Sequence, residues 1–338
     1  MFHYDHGLKI TSIDLAIDFR RRQPRGFISH AHTDHMARHE LAFCTPATSA
    51  LYQHRYGQQM ARPMPFGETL EWNSLRLTTF PAGHVFGSAM LLVEDEGQRL
   101  LYTGDFKLGV SCTAEACRPP KADVLVMEST FGDPYFRLPP RDEAIEQLVR
   151  IVQRVLEAGR TPVVHAYVLG KAQEVTRIFL NRGIRVVQHP LVHAVSCVYR
   201  DGGCEVGICE LYEESPPDDA VVIAPPRSQR AARLEGLRRP ISIAVTGWAV
   251  DPRWRLRLGV DYAVPLSDHA DYNELLECIE LVEPRVIYCT HGPEDFVYQL
   301  RKLGHNAYRL EDCLPQHHAA AAEAEPVAAC PPLAAVEV

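Results

Sequence analysis

From residue 1 to about residue 130, apolar side chains recur with a period of two in short runs broken by turn clusters, the pattern of strands with one or both faces buried. Such runs predict strands at Thr11 to Ile17, Arg76 to Phe80, Ala89 to Glu94 and Arg99 to Tyr102, forming a β-rich layer. The run Gly26-Phe27-Ile28-Ser29 predicts a buried strand that stops at His30. The pattern changes at Gly132-Asp133-Pro134 and Pro139-Pro140. From Arg141 to Ala158 the apolar positions Ile145, Leu148, Val149, Val152, Val155 and Leu156 fall on one helical face. A strand at Thr161 to His165, a helix at Lys171 to Leu180 and strands at Ile184 to Val187, Val221 to Ala224 and Ile241 to Thr246 follow, an α/β alternation. Tyr262 to Pro265, a helix from Asn273 to Leu281 and a strand ending at His291 are expected to rejoin the first unit. The expected division is therefore residues 1–135, an insertion at 136–250, a returning segment at 251–315 and a tail at 316–338. That tail is rich in Ala and Pro, carries no pattern that could build a core, and is expected to be disordered. No internal repeat is visible.

Composition fits this picture. With 338 residues, 46% of them hydrophobic, the chain has enough apolar surface for a substantial core and two domains. No apolar run approaches the roughly eighteen residues of a membrane span, and Met1-Phe2-His3-Tyr4-Asp5-His6 lacks the charge and apolar run of a signal peptide, so a cytoplasmic location is expected. The 10 cysteines include no CxxC and read as reduced thiols. Cys112 with Cys117 and Cys204 with Cys209 are the close pairs, and neither spacing argues for a metal site.

The chemistry concentrates where the first buried strand ends. Ser29-His30-Ala31-His32-Thr33-Asp34-His35-Met36 sets three imidazoles and a carboxylate in one short loop. In extended backbone, residues two apart share a side, so His30 and His32 can face one ion while Asp34 and His35 reach a second. Two divalent ions need further donors at other strand ends. His84 in Pro81-Ala82-Gly83-His84, Asp105 in Tyr102-Thr103-Gly104-Asp105-Phe106 and His291 in Cys289-Thr290-His291-Gly292 each follow an apolar run. Taken singly, a histidine after a strand is more often a hydrogen-bonding residue than a ligand; together with the cluster the three complete a ligand set. Glu128, closing the run Val124-Leu125-Val126-Met127, lies at the same rim as Asp105, where a carboxylate can pair with an imidazole and raise its basicity. A helix-capping role for Glu128 and a surface position for His269 are the ordinary alternatives.

These motifs, spread in order over residues 7 to 313, resemble the metallo-β-lactamase-fold hydrolases of the β-CASP nuclease group, most of all the bacterial ligase-associated DNA exonucleases and SNM1-like nucleases. The resemblance implies an αββα sandwich with an inserted α/β β-CASP domain. It implies that Asp18, in Ile17-Asp18-Phe19, orients the metal loop from outside the ligand set. It further implies that His30, His32 and His84 hold one zinc, that Asp34, His35 and His291 hold the other, and that Asp105 bridges them, with manganese as an alternative metal. Glu128 in Met127-Glu128-Ser129-Thr130 matches the family's acidic motif A, His269 in Ser267-Asp268-His269-Ala270-Asp271-Tyr272 matches motif B, and His291 matches motif C.

The expected reaction is two-metal hydrolysis of a phosphodiester, with His269, Glu128 and Asp34 as the catalytic groups and His269 protonating the leaving oxygen. The net charge of −8 argues against a long nonspecific grip on duplex, but Arg20, Arg21, Arg22 and Arg25 precede the metal loop. Arg227, Arg230, Arg233, Arg238, Arg239, Arg253, Arg255 and Arg257 cluster around Trp248 and Trp254, where phosphates could be held and a base stacked. A solvated face balanced by Glu213, Glu214, Asp218 and Asp219 is the ordinary reading of any one of these arginines. Leu169-Gly170-Lys171-Ala172 is not a P-loop, yet it makes Lys171 a substrate-phosphate candidate; an exposed lysine at a helix start is the plain alternative. The expected substrate is DNA, in repair alongside a DNA ligase or helicase. RNA processing is the alternative, and a thioester, lactone or β-lactam hydrolase is the alternative of another class.

Overall fold

A computed structural model describes residues 1–213, 215–226 and 234–312. The expected tail, together with Glu214, Arg227, Arg230 and Arg233, lies outside the described residues.

The alternation read from the sequence builds two sheets that share a core. In strand Ala89–Asp95, Ala89, Leu91 and Val93 face one apolar cluster while Met90 and Leu92 face another. Strand Val124–Glu128 repeats this with Val124 and Val126 against Leu125 and Met127. Period-two geometry thus makes Ala89 to Val93 and Val124 to Met127 core residues on both faces. The first sheet takes its six strands in chain order, Phe2–Tyr4, Leu8–Ile10, Leu15–Ile17, Arg25–Phe27, Leu41–Cys44 and Ala61–Pro63. The second runs Ala307–Arg309, Val286–Thr290, Val124–Glu128, Gln98–Tyr102, Ala89–Asp95, Leu75–Pro81 and Thr69–Trp72, with the first four parallel. Phe27, Phe43 and Ile10 of the first sheet join Leu77, Leu100 and Tyr102 of the second in one cluster. The outer face of the second sheet is covered by helices Tyr272–Val282 and Glu294–Lys302 through Leu275, Ile279, Phe296 and Leu300. The outer face of the first meets helix Pro46–Tyr56 through Leu51 and Tyr52.

The third sheet is parallel throughout, in the order Glu210–Leu211, Arg185–Gln188, Ala220–Ala224, Pro162–His165, Ile241–Val245 and Tyr262–Val264. Helices Arg141–Glu157 and Lys171–Asn181 cover one face. Helix Pro190–Asp201 sends Val195 and Tyr199 into the cluster beside Leu51, so it ties this unit to the first sheet.

Three expectations change. Thr11–Ile13 is a turn of 3-10 helix, and only Leu15–Ile17 is strand. Helix Pro46–Tyr56 replaces part of the all-β pattern; Thr45 caps it by accepting from the Thr48 amide at 3.1 Å, with Pro46 in its first turn. Tyr262–Val264 pairs with Ile241–Val245, so this strand belongs to the third sheet rather than to the returning segment. No helix among the described residues is long and apolar enough to cross a membrane.

Candidate metal centre

Parallel strands deliver the site residues to one rim, since loops at their carboxyl ends open on the same side. His30 and His32 follow Arg25–Phe27, Asp105 follows Gln98–Tyr102, Glu128 closes Val124–Glu128 and His291 follows Val286–Thr290. Gly104, with φ +56°, allows the close approach: a Cβ there would lie 2.8 Å from the Ser29 side chain.

Asp18 organises the loop. Its Oδ1 accepts from the Ser29 amide at 2.7 Å, and its Oδ2 accepts from Ser29 Oγ at 2.5 Å, His35 Nδ1 at 2.8 Å and Tyr102 Oη at 2.8 Å. Asp18 and His291 both have left-handed backbone, φ 50° and 55°, a conformation costing on the order of 1 kcal/mol for a residue with a Cβ. Neither Ser29 nor Tyr102 was a candidate from sequence; Ser29 adjoins the histidine loop, whereas Tyr102 carries no local signal.

Hydrogen bonds outside the centre fix the imidazole tautomers. His35 Nδ1 donates to Asp18. Ser29 Oγ spends its proton on Asp18, so it accepts from His30 Nδ1 at 3.0 Å. His84 Nδ1 donates to the Asp268 carbonyl at 2.9 Å, and His32 Nε2 to the Leu169 carbonyl at 3.1 Å. The remaining nitrogens are bare when the rings are neutral, and they converge. His32 Nδ1 is 3.0 Å from His30 Nε2 and 3.1 Å from His84 Nε2. His35 Nε2 is buried without a hydrogen-bond partner, 3.2 Å from Asp105 Oδ2. Asp105 Oδ2 also lies 3.5 Å from His30 Nε2 and 3.9 Å from His84 Nε2. Lone pairs aimed at one another in a buried site repel unless a cation lies among them, and imidazole with carboxylate is a donor set that suits zinc. His30, His32, His84 and Asp105 form one such group, and Asp18, His30 and His35 another.

Electrostatics divide the rings, keeping three of them neutral and leaving on His35 a proton that a cation would have to displace. Burial, reinforced for His30 by the neighbouring His35 charge, holds the proton affinity of His30 far below its usual range, lowers that of His32 and pushes His84 down to about 3. Burial acts the same way on His35, but Asp105 and Asp18 outweigh it and hold that ring well above the ordinary histidine range. For Asp105 burial works against ionisation, yet His35 prevails and keeps the carboxyl well below its usual range.

Asp34 and His291 are placed differently from the other expected ligands. Asp34 is half exposed, 3.8 Å from His35 Nε2 and 3.9 Å from Arg20. His291 is exposed and stacks on the His35 ring at 5.2 Å. Both line the same cleft of about 390 Å³ as His32, Asp105 and His269, at its open side.

Beside the histidines, His269 Nδ1 meets both oxygens of buried Glu128, at 3.0 and 3.2 Å. Glu128 is itself held by the Phe106 amide at 2.7 Å and Thr130 Oγ1 at 2.5 Å. Burial lowers the basicity of His269, but the Glu128 charge and hydrogen bond override it and raise the ring to about 10. Nδ1 being spent on Glu128, Nε2 is the nitrogen left for the cleft.

Lys171 is not the exposed lysine of the plain alternative. It is buried, with Nζ 2.6 Å from Glu174 and 3.8 Å from Asp268, and it reaches the cleft wall with its charge already partnered. Gly170, at φ +92°, begins its helix in contact with Val85 and follows the Leu169 carbonyl that binds His32. Asp268, a further residue missed from sequence, orients His84 through its carbonyl and offers its carboxylate to Lys171. An acid directly before the candidate His269 was its only signal. Among the described residues Cys112, Cys117, Cys204 and Cys209 are free thiols.

Residues 255–313 match the Zn-dependent metallo-hydrolase RNA specificity domain. A probable DNA ligase of Opitutus terrae is 35% identical over 91% of this chain, of which this chain spans only 31% of the length. The 5' exonuclease Apollo of Gallus gallus is 26% identical over 82% of this chain and 62% of its own length. Ribonuclease TTHA0252 of Thermus thermophilus is 30% identical, with 72% of this chain and 68% of its own length covered. The chain thus spans less than a third of the ligase and under two thirds of Apollo, but more than two thirds of the ribonuclease. A metal-ready histidine and aspartate centre, on a mixed α/β frame matched over most of its length by such relatives, makes this chain a member of the metallo-β-lactamase-fold β-CASP nuclease family.

Proposed function

We propose that the chain is a zinc-dependent nuclease that hydrolyses phosphodiester bonds in DNA. The observation that carries this reading is the convergence of four imidazole nitrogens around Asp105 beside an imidazole and carboxylate pair positioned for proton donation. A small-molecule hydrolase of similar frame would need the first feature but not the second. Two ions are proposed, one held by His30, His32 and His84, the other by Asp34, His35 and His291, with Asp105 between. When bound, zinc offsets charge on a phosphate and acidifies water enough for attack near neutral pH. The chain's own groups do the rest. Asp18 keeps His35 in the tautomer whose Nε2 faces inward, and Asp34 at the cleft mouth orients the attacking water. His269, kept protonated by Glu128, gives its Nε2 proton to the leaving oxygen.

The architecture proposed is the αββα metallo-β-lactamase sandwich, with the third sheet as a β-CASP insertion. Because Tyr262–Val264 pairs within that sheet, the insertion's end is proposed near residue 265 rather than 250. DNA is favoured by likeness to the probable DNA ligase and the 5' exonuclease, and it points to work beside ligase or helicase partners in repair. RNA is the second reading, favoured by the RNA specificity match and the ribonuclease. The test is digestion of end-labelled single- and double-stranded DNA and RNA with zinc or manganese, with and without chelator, alongside thioester, lactone and β-lactam substrates. Chelator-sensitive cleavage of DNA is expected; turnover of the small molecules alone sinks the proposal.

A further inference from the structure

Past Trp248 the cleft continues into a second cavity of about 70 Å³, and Tyr167, Val245, Thr246 and Trp248 line both. The smaller space is lined largely by apolar groups, among them Trp254, Leu258 and Val260. Trp248 and Trp254 stack at 5.3 Å with 29° between their planes. Phe131 and Phe136 meet Trp248 edge-on at 4.8 and 5.1 Å and fix its orientation. Neither indole belongs to the buried clusters of the fold, and both are partly exposed. Tyr167, at the junction of the two cavities, is 54% exposed. Helix Arg253–Leu258 presents Arg253, Arg255 and Arg257 to solvent, with the Arg257 guanidinium 5.4 Å from the Trp254 ring. Asp251 is paired with Arg253, while Arg255 donates to the Asp261 carbonyl at 3.4 Å and Arg257 lies over Trp254.

Resting on the nuclease reading, we propose that one nucleobase of the substrate strand, close to the cleaved bond, packs against this aromatic wall where the larger cleft opens into the slot, while Arg255 and Arg257 serve the adjoining phosphates. Three features select that occupant: continuity with the cleft, a planar aromatic wall, and positive charge on the helix that carries Trp254. Stacking on indole is available to every base, so the slot is tolerant of sequence.

The experiment pairs a protein change with a substrate change. End-labelled single-stranded oligonucleotides of DNA and of RNA, each with one abasic site stepped away from the cleavage position, are digested by the zinc-loaded full chain and by Trp254→Ala. The unmodified protein should lose about 5- to 100-fold in kcat/KM at one abasic position, the range expected for one base stacked on an aromatic ring. Trp254→Ala should lose a similar factor on the intact strand and nothing further at that position. Trp254→Leu, which keeps apolar bulk without the indole face, should behave the same way and guards against a folding defect. A flat abasic profile with normal cleavage overturns this inference alone, and so do penalties that multiply, because the indole then only supports the fold. Absence of chelator-sensitive cleavage by the unmodified protein overturns the nuclease reading and the slot together.

Discussion

Asparagine in place of Asp18 changes almost no volume but reverses the hydrogen-bond polarity at one end of the side chain. Oδ2 accepts from Ser29 Oγ, His35 Nδ1 and Tyr102 Oη, and Oδ1 from the Ser29 amide. An amide group can be turned either way. In one orientation its NH₂ opposes three donors, in the other the Ser29 amide, so no rotamer satisfies the site. Hydrogen bonds to a buried carboxylate are worth about 1.5–3 kcal/mol each, and the amide oxygen recovers part of that, which leaves a loss on the order of 3 kcal/mol. At roughly 2–4 °C per kcal/mol, the melting temperature should fall by about 6–12 °C. The larger consequence is chemical. Even when the amide oxygen is turned towards the three donors it is a weaker acceptor than a carboxylate, so His35 holds the proton on Nδ1 less firmly and the tautomer that presents Nε2 to Asp105 loses part of its advantage. Loss of such a partner to a metal-binding histidine weakens affinity about 10- to 100-fold. Zinc affinity is measured by competition with a chromophoric chelator, and melting by scanning calorimetry. Tyr102→Phe is the control, since it removes one donor, leaves His35 bonded and should shift zinc affinity little. Unchanged zinc affinity in Asp18→Asn, with the fold intact, would refute the claim that Asp18 sets the His35 tautomer.

Other consequences follow from the same geometry. His269→Ala should slow cleavage by about 10²- to 10⁴-fold while elemental analysis finds the zinc content unchanged; zinc lost with the ring would make His269 a ligand instead. His269 carries a proton affinity raised to about 10 by Glu128, so the pair stabilises the folded state fully below the unfolded value of about 6.5 and loses that contribution as pH rises towards 10. The melting temperature of the metal-free protein should therefore fall over that interval, and Glu128→Gln should flatten the decline; parallel slopes count against the pairing. Lys171→Met leaves buried Glu174 with only Arg141 as a cationic partner and should cost about 3–5 kcal/mol of stability by urea unfolding. A rise in KM at unchanged stability would instead support Lys171 as the phosphate-binding group expected from the sequence.

What could be read from the chain alone was whatever its periodicity or local spacing encoded. Strands such as Ala89–Asp95 were visible because alternate residues serve two different cores. The histidine loop was visible because chemistry packs it into consecutive positions. Helix Pro46–Tyr56 was hidden because its apolar face is weak, with Leu51 and Tyr52 as its large buried apolar residues, although Thr45-Pro46 is a start signal. Long-range partnerships left no trace: Tyr102 meets Asp18 across 84 positions, and Lys171 is buried with Glu174 and the distant Asp268 as its charge partners. Tyr262–Val264 reads as a strand, but a three-residue run does not say which sheet it joins.

The pair of zinc ions is the claim on which the rest turns, and anomalous diffraction at the zinc absorption edge from crystals of the zinc-loaded protein measures it directly. Two peaks are predicted on either side of Asp105, one against His30, His32 and His84, the other against His35, Asp34 and His291. A single peak, or density away from Asp105, would contradict the dinuclear account.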